Sequence, residues 1–448
     1  MTRTIRMNRG SVLMGLLTWL MSGGCAWAEG ITAVAPATSI NSGDTAWMLM
    51  SAALVMLMMP GLAFFYGGLV RKKNFLSILM QCFILMSLIT LQWVLLGYSL
   101  SFGPDIGGWI GSLRWIGLNG VGLEPYPDYA ATIPHQTFMI YQAMFAIITP
   151  GLILGAFAER MKFTSFCVFS LLWATLIYDP VAHWVWGVGG FLRNQGALDF
   201  AGGTVVHINA GVAALAAAVV LGKRQGYPHH ISPPHNLPFA VLGAGLLWFG
   251  WFGFNGGSAL GAGALATNAF VVTHIAAAVA GLTWAVLDWF INAHPTMLGM
   301  ITGAVAGLVA ITPAAGFVTP LGALGIGVGV SLICYFSVAF VKVRLGYDDS
   351  LDAFGVHGVG GIWGALATGL WATQSVNSAG ANGLFYGNPA LFLVQAKTVL
   401  ITIVFSFVGT FLLLKLVDRV LGLRVSESNE RIGLDLTEHR EAAYTLLD

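Results

Sequence analysis

The feature that most constrains this chain is a succession of apolar segments too long and too numerous for a water-soluble core. They fall at residues 45–69, 75–101, 134–158, 163–187, 204–222, 236–256, 264–291, 296–313, 320–343, 352–374 and 390–417. A helix of about 20 apolar residues crosses the roughly 30 Å hydrocarbon core of a bilayer. In lipid every backbone N–H and C=O must be satisfied within the segment, so each stretch reads as a helix. The expected fold is an all-α polytopic membrane protein with eleven transmembrane helices. Only 9% of the residues are charged, against about 25% in a soluble domain. A net charge of +1 provides no field to recruit nucleic acid. The 58 glycines suit helices whose backbones meet closely in lipid.

The ends set the expected domain organisation. Arg3, Arg6 and Arg9 precede the apolar run 11–20, and Ala26-Trp27-Ala28 follows with small residues where a signal peptidase reads. Residues 1–28 are expected to be a cleaved signal peptide; an uncleaved first helix and a lipid-modified Cys25 are the alternatives. Residues 29–421 then form the membrane domain, and the polar segment 422–448 is a cytoplasmic regulatory tail. Eleven crossings from an outside N-terminus place the C-terminus inside. Basic residues agree, since fourteen of the seventeen beyond the signal fall on the segments so assigned to the inside. Lys397 is read as snorkelling to the headgroups from the last span. Cys82, Cys167 and Cys334 lie within apolar spans without metal-type spacing and read as packed thiols.

An internal repeat points to a site. His207 and His357 stand 150 residues apart, each with an Asp eight residues upstream (Asp199, Asp349) and a Gly four residues downstream (Gly211, Gly361). An odd number of helices per half, five and five, would invert the second half and leave the eleventh helix as an extra. The two imidazoles are then expected to meet near the midplane, where an ionisable side chain marks a pathway. His183 and His274 have no offset partner and read as packed histidines joining helices. Asp199 is expected to cap the helix that carries His207. For Asp179, which precedes Pro180, vestibule electrostatics and helix capping both stand open. Phe145, Trp186, Trp251 and Phe254 flank polar or small-residue positions, where ring faces hold a weakly hydrated cation.

The stretch Gly196-Ala197-Leu198-Asp199-Phe200-Ala201-Gly202-Gly203-Thr204-Val205-Val206-His207-Ile208-Asn209, followed by Gly222-Lys223-Arg224, resembles the signature of the ammonium transporter (Amt/Rh) family. The likeness extends through Pro60 to Gly68, Ala158-Glu159-Arg160, Ala182 to Gly187, Gly250 to Ser258 and Asp352 to Gly358. The resemblance implies two inverted five-helix repeats plus a C-terminal helix, assembled as a homotrimer with one pore per subunit and no cofactor. It implies an outer ammonium-binding site at Phe145, Trp186 and Ser258, a gate of Phe145 and Phe254, and a proton-relaying pore at His207 and His357. Asp199 and Trp251 take supporting roles. So does Tyr141, where the family pattern has Phe; a phenol keeps the π-face and adds a donor. Trp186 favours the bacterial Amt branch.

The expected function is ammonium uptake across the bacterial inner membrane. Ammonium sheds its proton, ammonia passes two hydrogen-bonded imidazoles, and the proton follows separately; potassium, with no proton to shed, is rejected. A passive ammonia channel and an ammonium sensor acting through the tail are the alternatives. The tail resembles that of members blocked by a PII-type signalling protein. A metalloenzyme built on His183, His207, His357 and Asp199 is disfavoured, because no HExxH or other close ligand spacing occurs.

Overall fold

The computed structural model describes residues 39–229 and 233–444. The expected signal peptide therefore lies outside the described residues. The helices, in chain order, are α1 (Ser42–Leu69), α2 (Lys72–Phe102), α3 (His135–Phe157), α4 (Phe163–Asn194), α5 (Gly203–Leu221), α6 (Leu237–Ala259), α7 (Ala264–Asn292), α8 (Met297–Ile311), α9 (Pro320–Leu345), α10 (Phe354–Gly358 running into Val359–Trp371) and α11 (Pro389–Leu421). Two short tail helices follow, α12 (Glu427–Ile432) and α13 (Leu434–Glu438).

Among the described residues nine of these helices are long and apolar enough to cross a membrane. The eighth and tenth expected spans are shorter than the apolar pattern implied. α8 has 15 residues and stops ahead of Pro313, which lies in the turn that follows it. α10 begins only after Asp352, whose backbone is left-handed (φ +59°), and its first turn is a wider π-helical one.

Sequence chemistry sets the helix starts. Asn41, Asn236, Thr319 and Asn388 each accept a backbone N–H from the first turn that follows. In the last three, Pro238, Pro320 and Pro389 occupy the opening positions, where a missing N–H costs nothing. Glycines then let α1 and α6 approach. A Cβ at Gly243 would fall 2.1 Å from the backbone nitrogen of Phe65, and one at Gly250 would fall 2.7 Å from the Leu54 carbonyl.

α3 lies at the centre, with 94% of its most apolar window buried. α11 is the most exposed of the nine and backs the others. Its Ser406 hydroxyl donates to the Asn209 carbonyl of α5 at 2.7 Å, and its Thr410 accepts the Trp173 indole N–H of α4. Between α2 and α3 the chain makes two small antiparallel hairpins, β1–β2 (Asp105–Ile106 with Ile110–Gly111) and β3–β4 (Pro125–Tyr126 with Ala130–Pro134). At the opposite end the tail is fastened down. The Asp435 carboxylate accepts the N–H groups of Leu76 and Ser77 at the start of α2, and Arg424 donates to the Leu221 carbonyl at the end of α5.

Candidate functional site

The 150-residue repeat is geometric as well as sequential. Gly202 (φ +115°) precedes a π-helical turn at Gly203–Ile208, and Asp352 precedes its counterpart at Phe354–Gly358. Asp199 accepts four N–H groups, those of Gly202, Gly203, Thr204 and Val205, at 2.7–3.1 Å. Asp349 does the same for Ala353 and Phe354. Each π-turn therefore opens on a carboxylate cap and carries one of the two histidines. Single π-turns of this kind recur at functional sites.

The histidine-bearing helices touch backbone to backbone. A Cβ at Gly211 would lie 2.1 Å from Gly358 N, and one at Gly361 would lie 3.0 Å from Ile208 N. The contact brings the His207 and His357 rings to 5.4 Å between centroids at an interplanar angle of 14°. Both rings are buried, and His207 Nδ1, His207 Nε2 and His357 Nδ1 have no partner. The expected hydrogen bond between the imidazoles is absent. The plane of His207 is set instead by stacking on Trp251 at 5.4 Å and Phe254 at 5.9 Å. Trp251 is fixed in turn by its indole N–H, which donates to Thr312 Oγ1 at 2.9 Å.

Around the histidines the free space shrinks to about 10 Å³, walled by Leu62, Phe65, Ile148, Trp251, Phe254 and Val305. That is room for about one water-sized molecule. A cavity of about 430 Å³ opens on one side and one of about 400 Å³ on the other. His357 lines both the narrow chamber and the second cavity.

Phe145, Trp186, Asp199 and Ser258 all line the first cavity. Phe145 and Phe254 meet at 4.4 Å between ring centroids, tilted by 45°, and separate this cavity from the chamber. Trp186 stands edge-on to Phe145 at 5.7 Å. It is held through its N–H to the Asp199 carbonyl and through Arg193, which donates to the Trp186 carbonyl. Ser258 donates its proton to the Phe254 carbonyl at 2.9 Å, which leaves its oxygen lone pairs as acceptors. Tyr141 is fully buried and does not line the cavity. Its hydroxyl donates to the Phe254 carbonyl at 2.7 Å, the same oxygen that Ser258 uses, so it anchors that carbonyl instead of presenting a ring face to the cavity.

Other candidate residues lie elsewhere. Asp179 neither lines the cavity nor caps a helix; it is buried against Gln92 and Ser101 of α2. His183 joins the Ser101 carbonyl to Asp105, and His274 packs on Trp248 and Phe252 of α6. Among the described residues no three His, Cys, Asp or Glu side chains gather as metal ligands. Sequence reasoning missed Gln142, whose buried Oε1 has no partner on the cavity wall. It sits three residues before Phe145, hence on the same helix face.

The end opposite Trp186 carries a charged cluster. Glu159 accepts from Arg71, Asn74 and Arg224, Arg224 also pairs with Asp348, and Arg160 donates to the Asp348 carbonyl. Burial alone would raise Glu159, but Arg71 and Arg224 hold it below the ordinary carboxylate range. The tail joins through Asn74, which accepts Leu434 N–H, and through Glu430, which accepts the Gln225 N–H at 2.8 Å.

Residues 46–444 match the model of the Ammonium Transporter Family. An ammonium transporter of Bacillus subtilis (strain 168) is 54% identical over 405 residues, covering 90% of this chain and 99% of that protein. Ammonium transporter Amt1 of Archaeoglobus fulgidus is 49% identical, over 91% of this chain and 100% of that one. Among solved structures, Candida albicans Mep2 superposes with a TM-score of 0.82 at 37% identity, over 87% of each chain. A sensor Amt protein superposes with a TM-score of 0.82 at 31% identity, over 89% of this chain and 98% of that one. With apolar helices long enough to cross a bilayer and the family matched across nearly its whole length, the chain belongs to the ammonium transporter family of multi-pass membrane transporters and channels, which are not enzymes.

Proposed function

We propose that this protein takes up ammonium by splitting it. Ammonium is recruited in the cavity lined by Phe145, Trp186 and Ser258, and loses its proton at the Phe145–Phe254 gate. Ammonia then crosses past His207 and His357 while the proton passes separately along the imidazoles, so that net transport is electrogenic. The observation that carries this reading is the chamber of about 10 Å³ between two cavities some forty times larger. Stripping a cation of its water for such an apolar passage costs several kcal/mol or more. Ammonium escapes that penalty by leaving as ammonia, and a potassium ion has no such route. The unpartnered ring nitrogens are the polar groups in the passage.

The cavity at Trp186 is assigned to the outside and the charged end to the cytoplasm. Arg71, Arg160, Arg224 and Arg424 gather at that end, as the positive-inside rule requires. The assignment includes eleven crossings, two inverted halves, the signal peptide at 1–28 and residence in a bacterial inner membrane. The working unit is a homotrimer, and the docked tail is the contact for a PII-type signalling protein.

The test is current on solid-supported membranes carrying the purified protein after an ammonium jump, with potassium as control and a His207→Ala, His357→Ala double variant alongside. A saturating ammonium current, absent with potassium and lost in the double variant, is expected. Silence accompanied by ammonia-dependent pH changes inside the vesicles would make the protein a passive ammonia channel.

A further inference from the structure

The two histidine segments share a left-handed backbone position but fill it with different residues. Gly202 supplies the left-handed residue before the first π-turn, and its counterpart before the second is Asp352 at φ +59°. A left-handed aspartate is a conformation that glycine would adopt without strain. Asp352 lines the cavity of about 400 Å³ beyond His357, and so does Lys342, whose Nζ lies 2.5 Å from the Asp352 carboxylate. Both side chains are partly exposed to that cavity. His357, with its buried and unpartnered Nδ1, borders the same space. The Lys342 Nζ is itself a primary ammonium group, so Asp352 already holds a tethered relative of the substrate.

We propose that Asp352 is an exit site for ammonium, occupied by Lys342 between transport events and surrendered to the cation re-formed beyond His357. The proposal rests on the electrogenic reading above. In the step, an N–H bond of the His357 imidazolium breaks and its proton forms a new N–H bond on ammonia. The ring is left neutral, and the positive charge leaves as ammonium. That ion needs an anionic acceptor on the cytoplasmic side, and Asp352 is the carboxylate of the cavity that also begins the helix of His357. Lys342 then displaces it, a monovalent cation exchanging for another of the same kind at no change in net charge.

Two variants test this on solid-supported membranes. Asp352→Gly removes the carboxylate yet suits the left-handed backbone, so its melting temperature should equal or exceed that of the wild type. Its maximal ammonium current should fall about tenfold, as expected for losing one charge-assisted hydrogen bond, while the half-saturating concentration set at the Trp186 cavity stays unchanged. Lys342→Met leaves the carboxylate without its competitor, and its current should fall further when the vesicles are preloaded with ammonium. A lysine and aspartate that merely strap α9 to α10 would make both variants less stable and equally insensitive to internal ammonium. A wild-type maximal current in Asp352→Gly, or a Lys342→Met current indifferent to internal ammonium, overturns the exit site alone. A silent wild type would sink the electrogenic reading and, with no cation re-formed beyond His357, this proposal too.

Discussion

Gly211 is the position where one methyl group should matter most. Its Cβ would sit 2.1 Å from Gly358 N and 2.3 Å from Gly358 Cα, both backbone atoms that cannot rotate away. Reaching ordinary contact at 3.4 Å requires α5 and α10 to part by at least about 1.3 Å, which is overpacking that costs about 1–3 kcal/mol. Ala gains at most about 1 kcal/mol of helix propensity over Gly, so Gly211→Ala should be destabilising on balance. The larger effect falls on the pore. The His207 and His357 centroids, now 5.4 Å apart, would separate by a comparable distance. A misplacement of about 1 Å at a reacting pair can lower the rate about a hundredfold. Gly361→Ala provides the internal control. Its Cβ meets Ile208 N at 3.0 Å and His207 Cβ at 3.1 Å, so a shift of a few tenths of an ångström is enough. Ammonium-jump currents should therefore fall about a hundredfold in Gly211→Ala and less than about tenfold in Gly361→Ala, with melting temperatures in the same order. A Gly211→Ala variant with wild-type current, or a Gly361→Ala variant worse than it, would refute the claim that this backbone contact sets the histidine spacing.

Three further outcomes follow from the same geometry. Trp186→Leu removes a ring face from the recruitment cavity; at about 2 kcal/mol for a desolvated cation–π contact, the half-saturating ammonium concentration should rise about thirtyfold. Asp199→Asn replaces one of two accepting oxygens by a donor, so the N–H groups of Thr204 and Val205 lose their partner. At about 1–3 kcal/mol per orphaned donor, the purified variant should show a clearly lowered melting temperature. Glu159 is held below its ordinary value of 4.5, so its contribution is complete above that pH and disappears as the pH falls through the lowered value. Protonation frees Arg71, Asn74 and Arg224, and Asn74 also holds Leu434. Pepsin should therefore release the C-terminal tail only at a pH below the ordinary carboxylate value of 4.5, and a tail cut as readily above that value would show that Glu159 does not hold it.

The membrane class was legible from the sequence because hydropathy acts through local composition: a run of twenty apolar residues means the same thing wherever it occurs. Segment lengths were less legible at 296–313 and 352–374. In both, the apolar pattern continues through residues whose backbone leaves the helix, the turn holding Pro313 and the left-handed Asp352. Hydropathy does not sense a dihedral angle. The tail was recognisable as polar, but its fastening was not. Asp435 meets Leu76 and Ser77 across some 360 positions of sequence, and a single carboxylate carries no signal of what it will cap.

The site divides along the same line. Types and spacings that recur at a fixed offset, the histidines and their aspartates, were legible because in both places the aspartate caps the turn that carries its histidine. Tyr141 shows the limit. The family resemblance suggested a ring face for the cation there, yet its hydroxyl finds the Phe254 carbonyl and the ring does not line the cavity. The decisive partner is a main-chain oxygen on α6, more than a hundred residues away, and no side-chain pattern encodes it. Where symmetry is broken, sequence comparison within the chain becomes informative again. Aligning the halves on their histidines places a glycine against an aspartate at one position, Gly202 against Asp352, and the structure shows that both backbones are left-handed there. A chain that retains a strained acid where its own other half uses glycine gives up conformational stability at that point. The carboxylate facing the cavity beyond His357 is what it keeps in exchange, and that asymmetry gives the two cavities flanking the histidines different chemistry.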